Sequence, residues 1–358
     1  MKSKKEKGIK YFLKKLGPGN HYPKAILYLM LVFSIPATVL NIGSDIAGMG
    51  AVSNLLIPAI PSFVFSIVFT TVLTITIIKF SYQQIAGILK WLCLSVLLYI
   101  IVPFFIKVNW MDVLKHTFIP TIKFDQDYIE ILVALLGTTI SPYLFFWQAT
   151  MEAEDVKHKI KAVVVDKQML RDVKTDVNTG MFASNLVMFF IILTTGIVLH
   201  GNIKDISTVD QAAKALEPVV GKLSYVCFAI GVLGTGFLAI PILAGSLSYI
   251  IAETFDWKQG LDKHFGEAKG FYITIVISLA IGLVINLTGI NPMKTLVYTS
   301  ILYGVTAPVM IAVILHVCNN KKVMKGHTNS LLSNILGFIT LIVMTVSAVM
   351  LIYFSLHH

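Results

Sequence analysis

Residues 137–155 read GTTISPYLFFWQATMEAED. Pro142 has no amide hydrogen to give to the carbonyl of Thr138, and its ring clashes with the preceding turn. Gly137, Thr138, Thr139 and Ser141 are small residues that let the chain unwind beside it. The run of about 128–150 around the break is long and apolar enough to cross a bilayer. Carbonyls freed inside a membrane must find water, another helix or a bound cation. Discontinuous helices of this kind build ion sites near the bilayer midplane. The alternative is a proline kink satisfied by the neighbouring Ser and Thr hydroxyls. Pro36, Pro58, Pro61, Pro103, Pro241 and Pro308 also lie in or beside apolar runs, so a proline alone does not decide.

The rest of the chain has the same character. Hydrophobic residues make up 56% of the 358 and charged residues 13%, with a mean hydropathy of +0.79. Soluble domains carry about 25% charged residues. Nine apolar runs are read as spans, at about 25–48, 54–78, 88–107, 128–150, 180–200, 223–252, 270–289, 293–318 and 331–356. The chain is therefore an all-α, polytopic membrane protein. No small-residue cleavage site follows the first run, which reads as a retained span. Cys93, Cys227 and Cys318 have no paired spacing and indicate neither a disulfide framework nor a zinc site.

The net charge of +10 has a topological explanation. With the N-terminus inside, 22 of the 29 Lys and Arg residues fall on the inner side and 7 on the outer side. The positive-inside rule then places residues 1–24 and the loop 151–179 in the cytoplasm, and the C-terminus after nine spans outside. Nucleic acid is not needed to explain the charge; the lipid bilayer, with anionic headgroups near residues 1–24, is the expected partner. The loop 151–179, charged in both signs, is expected to hold an amphipathic helix with a solvated face.

Several strings, in order, carry a family resemblance. GTTISPYLFFWQATMEAED, RDVKTDVNTGMFASNLVMFF (171–190), QAAKALEPVVGKL (211–223), IPILAGSLSYIIAETF (240–255) and INPMKTLVYTSILYGVTAPVM (290–310) resemble the Nramp divalent-metal transporters and their magnesium-transporting branch. The resemblance implies a leucine-transporter-type inverted-repeat fold, in which the broken first helix of each repeat encloses a metal site. It divides the chain into a basic N-terminus (1–24), the remaining three helices of an incomplete first repeat (25–107), a complete second repeat of five helices (128–319) and an accessory helix (331–358). LGPG (16–19) resembles the segment before the family's first helix, yet HYPKAILYLM follows and resembles its third. GPGN is thus read as a join across two absent helices, one of which would carry the family's acidic metal ligand.

The resemblance also assigns residues. Thr138 is expected to present a freed carbonyl to the metal. Ser141 stands where metal-selective members carry methionine; its hard oxygen suits magnesium or manganese better than a soft thioether would, unless it only caps the break. Tyr143 replaces a histidine linked to proton movement, and a phenol with pKa near 10 is a poor shuttle; packing is the alternative. Asp45, late in the first run, aligns with the family's proton path or is solvated near the outer surface, and Asn41 lies one turn earlier. Ser300 and Tyr303, three apart on one helical face, align with positions approaching the metal or make interhelical hydrogen bonds. Asn291-Pro292 reads as a helix start, and the glycines of the sixth run as packing positions.

The expected function is transport of a divalent metal cation of the manganese, magnesium or iron class by a secondary transporter or facilitator, impaired by the absent helix. The alternative is a degenerate, non-transporting membrane protein acting as a binding or assembly partner; a partner supplying the missing helices fits either. An amino-acid carrier of the same fold is the weaker third reading. The metal is substrate, and no cofactor is expected. No P-loop or HExxH motif and no nucleophile–base pairing points to an enzyme.

Overall fold

The computed structural model describes residues 24–80, 87, 91–159, 167–199, 208–261, 263–324 and 328–357. Residues 17–20, and the join read across them, lie outside that set. The long helices are α1 (Lys24–Leu56), α2 (Ser62–Lys79), α5 (Gln126–Thr139), α6 (Pro142–Lys159), α7 (Lys167–Leu199), α8 (Ser224–Thr254), α9 (Lys269–Leu287), α10 (Pro292–Asn319) and α11 (Leu331–His357); two shorter ones are α3 (Leu98–Phe105) and α4 (Trp110–Phe118). Among the described residues eight segments are long and apolar enough to cross a membrane, one of them running through the α5–α6 break from Gln126 to Gln148. The chain is a multi-pass, all-helical membrane protein.

Four boundaries differ from the sequence reading. Helix α1 continues past residue 48 to Leu56, and α2 starts only after Pro61. The glycines at 48 and 50 do not end α1. A Cβ at Gly50 would collide with the Ser66 hydroxyl and the Ser62 carbonyl, so this glycine admits α2 at close range. Residues 151–159 and 167–179 extend α6 and α7 and form no separate amphipathic helix. The described part of the run at 88–107 is a 3-10 helix over Leu92–Leu97 followed by the short α3. Inside α3, Pro103 cannot donate to the carbonyl of Tyr99. The hydroxyl of Thr194 on α7, fully buried, donates to that carbonyl at 2.9 Å.

The chain forms two compact units: residues 1–38, 123–145 and 297–358, and residues 39–122 and 146–296. In the first, Ile129 and Val133 of α5 pack with Leu351 of α11, while Ala307, Ile311 and Leu315 of α10 pack with Met344. In the second, Gly43 of α1 meets Gly282 of α9 backbone to backbone, and Gly236 of α8 lies under the Met49 sulfur. The Ser66 hydroxyl is 3.2 Å from the Ile46 carbonyl across α1 and α2. Lipid tails are as apolar as leucine, so such close approaches and interhelical hydrogen bonds, more than burial from water, hold membrane helices together.

The helix starts are legible locally. Asp125 accepts from the Tyr128 amide at 2.8 Å and caps α5. Asn291 accepts from the Met293 amide at 2.9 Å and Pro292 takes the first position of α10, as the sequence suggests.

Candidate metal site at the helix break

Helix α5 ends at Thr139 and α6 begins at Pro142. Ile140 leaves the helical region at φ −117° and ψ 61°, and its amide still reaches the Leu136 carbonyl at 2.9 Å. Gly137 and Thr138 carry the last carbonyls of the turn. The Ser141 hydroxyl, on a buried residue, lies 3.0 Å from each of them. Thr138 and Thr139 turn their hydroxyls back to the Leu135 carbonyl, at 2.9 and 2.8 Å. The carbonyl expected to be free at Thr138 is therefore partnered by Ser141. One hydroxyl hydrogen serves two carbonyls, each with two lone pairs, so acceptor capacity remains at the break.

Packing explains why the break is placed here. A Cβ at Gly137 would collide with the Ser300 carbonyl and lie 2.8 Å from the Gly304 Cα. Gly304 in turn faces Val133, whose Cγ1 would be 2.6 Å from an added Cβ. Ser300 and Gly304, four residues apart, make the small-xxx-small face on which α5 rests. Ser300 is buried in this contact, and Gly304 is a contributor that sequence reasoning missed. The 300/304 spacing was the available signal.

Tyr143 packs against Tyr303, with ring centroids 5.4 Å apart at 47°. Tyr303 is buried, and its hydroxyl donates to Thr38 Oγ1 at 3.3 Å. Thr38 had no sequence signal beyond its polarity inside an apolar run. Thr138, Ser141, Tyr143, Ser300 and Tyr303 thus share one unit, together with Gly137 and Pro142.

Asp45 and Asn41 belong to the other unit. Because α1 runs on to Leu56, Asp45 lies 11 residues, about 16 Å, before the helix end. It stands inside the span rather than at its edge, two residues from the Gly43–Gly282 crossing. No hydrogen bond joins it to Asn41 among the described residues.

The polar atoms at the break are carbonyl and hydroxyl oxygens, a hard donor set suited to magnesium, calcium or manganese. Among the described residues no group of three or more His, Cys, Asp or Glu side chains could hold a metal. Cys227 and Cys318 are free thiols.

The architecture is that of a polytopic α-helical membrane protein with an interrupted helix and an oxygen-lined break. Residues 18–354 match the family described as natural resistance-associated macrophage protein-like, Nramp, and the chain belongs to it. It is similar to the divalent metal cation transporter MntH of Caldanaerobacter subterraneus, with 26% identity over 294 residues, covering 80% of this chain and 66% of that one. It is likewise similar to MntH of Clostridium acetobutylicum, at 25% identity over 72% of this chain and 57% of the relative. With MntH of Mycobacterium tuberculosis the identity is 21%, over 63% and 50%. The chain spans between half and two thirds of the length of these curated relatives.

Proposed function

We propose that the protein carries a divalent metal cation of the manganese, magnesium or iron class across a cell membrane, as a secondary transporter or facilitator. The observation that carries this reading is the α5–α6 break, with three oxygens at Gly137, Thr138 and Ser141, in a chain that matches the Nramp family over residues 18–354. The relatives' printed names, divalent metal cation transporters, support the substrate class.

On this reading the cation meets the Thr138 carbonyl and the Ser141 oxygen, while Tyr143, Ser300 and Tyr303 set the shape of the break. The hard donor set favours manganese or magnesium over strongly thiophilic ions. Asp45, an intramembrane carboxylate, is a candidate for the proton path, since charge at this depth is costly and usually functional. The excess of Lys and Arg on one side supports a cytoplasmic 151–179 segment and an extracytoplasmic C-terminus.

Uptake of manganese and magnesium into proteoliposomes holding the full chain tests the proposal. Influx above that of empty liposomes, reduced by Ser141→Ala, is the expected result. Influx equal to that of empty liposomes for both metals and for iron would leave the non-transporting reading in its place.

A further inference from the structure

Helix α4, nine residues long, has no buried residue. Its cap is local: Asn109 Oδ1 accepts from the Asp112 amide at 3.4 Å, and Asn109 Nδ2 donates to the Asp112 carboxylate at 2.6 Å. Helices shorter than about 12–15 residues are marginal in water on their own. A cap alone does not offset that shortfall, so α4 needs something to pack against.

Its two sides differ. Trp110, Leu114, Phe118 and Met111 fall on one contiguous strip of the helix surface, and Asp112, Lys115 and His116 on the other. Met111, Leu114 and Phe118 are 74%, 53% and 79% exposed. Asp112 and Lys115 carry opposite charges, so the polar strip does not select an anionic surface. Lys115 borders Met111 and can lay its stem along the apolar strip while its ammonium group reaches water.

Position selects the partner. The Trp110 ring lies 5.2 Å from that of Phe104 on α3, which lies 6.2 Å from that of Phe190 on α7. Phe190 stands nine residues, about 13.5 Å, before Leu199, the end of a helix long and apolar enough to cross a membrane. Even laid end to end, the two ring contacts do not carry Trp110 past that end. The first turn of α4 is therefore level with the end of a membrane-spanning helix and not out in bulk water. We propose that α4 lies along the bilayer surface, with Met111, Leu114 and Phe118 among the acyl chains and Asp112 and His116 among the headgroups of zwitterionic phospholipid. Short amphipathic helices bury one face at the boundary of headgroups and acyl chains in this way, and Trp110 is of the residue type enriched there. Such a helix binds lipid whether or not the protein transports metal.

The test uses the full chain in phosphatidylcholine nanodiscs, with the three native cysteines replaced by Ala. Single nitroxide labels are attached at Met111→Cys, Leu114→Cys and Phe118→Cys on one strip, and at Asp112→Cys and His116→Cys on the other. Collision with oxygen, which concentrates in hydrocarbon, is compared with collision with a neutral, water-soluble nickel chelate. Oxygen should exceed nickel at 111, 114 and 118, and the ratio should reverse at 112 and 116. Nickel in excess at all five sites puts α4 in water and overturns the proposal. Little collision with either reagent at 111, 114 and 118 means that protein covers the strip, from this chain or a second copy, and overturns it as well. Oxygen in excess at all five sinks the helix into hydrocarbon, against a surface position. Met111→Trp and His116→Trp give a second reading without a label: phosphatidylcholine brominated on its acyl chains should add quenching to that of wild type in the first variant and not in the second. Equal added quenching in both overturns the proposal.

Discussion

The Ser141 hydroxyl sits 3.0 Å from the carbonyl oxygen of Thr138, the acceptor that Pro142 cannot serve. The residue that marks the break and the residue that satisfies it are thus adjacent in the chain. Ser141→Ala should leave two carbonyls at a buried position without this donor. A buried acceptor without a partner costs about 1–3 kcal/mol, and Ser141→Ala should lower thermal stability in detergent by a corresponding amount. Scanning fluorimetry against wild type checks this; an unchanged midpoint would mean that water or another group replaces the hydroxyl at no cost.

The contact between Gly137 and the backbone of α10 leads to a second expectation. Gly137→Ala places a methyl group against the Ser300 carbonyl and the Gly304 Cα, neither of which is a flexible side-chain end. Overpacking of this kind typically costs about 1–3 kcal/mol. Gly180, exposed in α7, has nothing within 4 Å of its added Cβ. There Ala should stabilise by roughly 0.5–1 kcal/mol, the ordinary difference between the two residues inside a helix. Opposite shifts in unfolding midpoint are expected, and the same sign for both would contradict the packing.

The two sites show what the sequence could and could not reveal. The break was legible because Pro142 acts through a missing hydrogen, a property of the residue itself. So was the start of α10, where Asn291 and Pro292 act locally. Ser141 was legible only as one of two readings, a cap on the break or an oxygen offered to a metal; its rotamer places the hydroxyl on the Gly137 and Thr138 carbonyls. The first run was bounded at about residue 48, yet α1 continues through Gly48 and Gly50 to Leu56, because glycine weakens a helix without forbidding it, and Gly50 admits α2 at close range. Packing was one of two readings for Tyr143, but that its partner is the ring of Tyr303 depends on the third dimension.

Thr194 repeats the logic of Ser141 across two helices. Its hydroxyl donates to the Tyr99 carbonyl that Pro103 leaves unserved. Thr194→Val keeps the shape and removes the donor, so a loss of about 1–3 kcal/mol is expected. Thr194→Ser, which keeps a hydroxyl, should recover most of it. A double variant that also replaces Pro103 with Ala regains an amide donor for Tyr99. The loss from Thr194→Val should shrink in that background; full additivity by thermal unfolding would refute the coupling.

Topology can be tested on α7. Lys174 is exposed and lies in the segment assigned to the cytoplasm by the distribution of Lys and Arg. Lys174→Cys, in a background with the three native cysteines replaced by Ala, should react with a membrane-impermeant maleimide only after the cells are permeabilised. Labelling of intact cells would reverse the assignment.

Ser141→Met tests whether the break meets the ion. A thioether is a soft ligand, so the variant should shift relative uptake toward cadmium, iron and manganese and away from magnesium. It also removes the hydroxyl donor to the Gly137 and Thr138 carbonyls, and stability should fall as in Ser141→Ala. The two consequences are separable. Ser141→Ala loses the cap without gaining a soft ligand, so it should lower uptake of all the metals together. The ratio of cadmium to magnesium uptake in proteoliposomes should therefore rise in Ser141→Met and stay at the wild-type value in Ser141→Ala. A ratio unchanged in both, with uptake reduced in both, would confine Ser141 to holding the break together. The cation would then be bound elsewhere, with Asp45 the first carboxylate to replace by Asn.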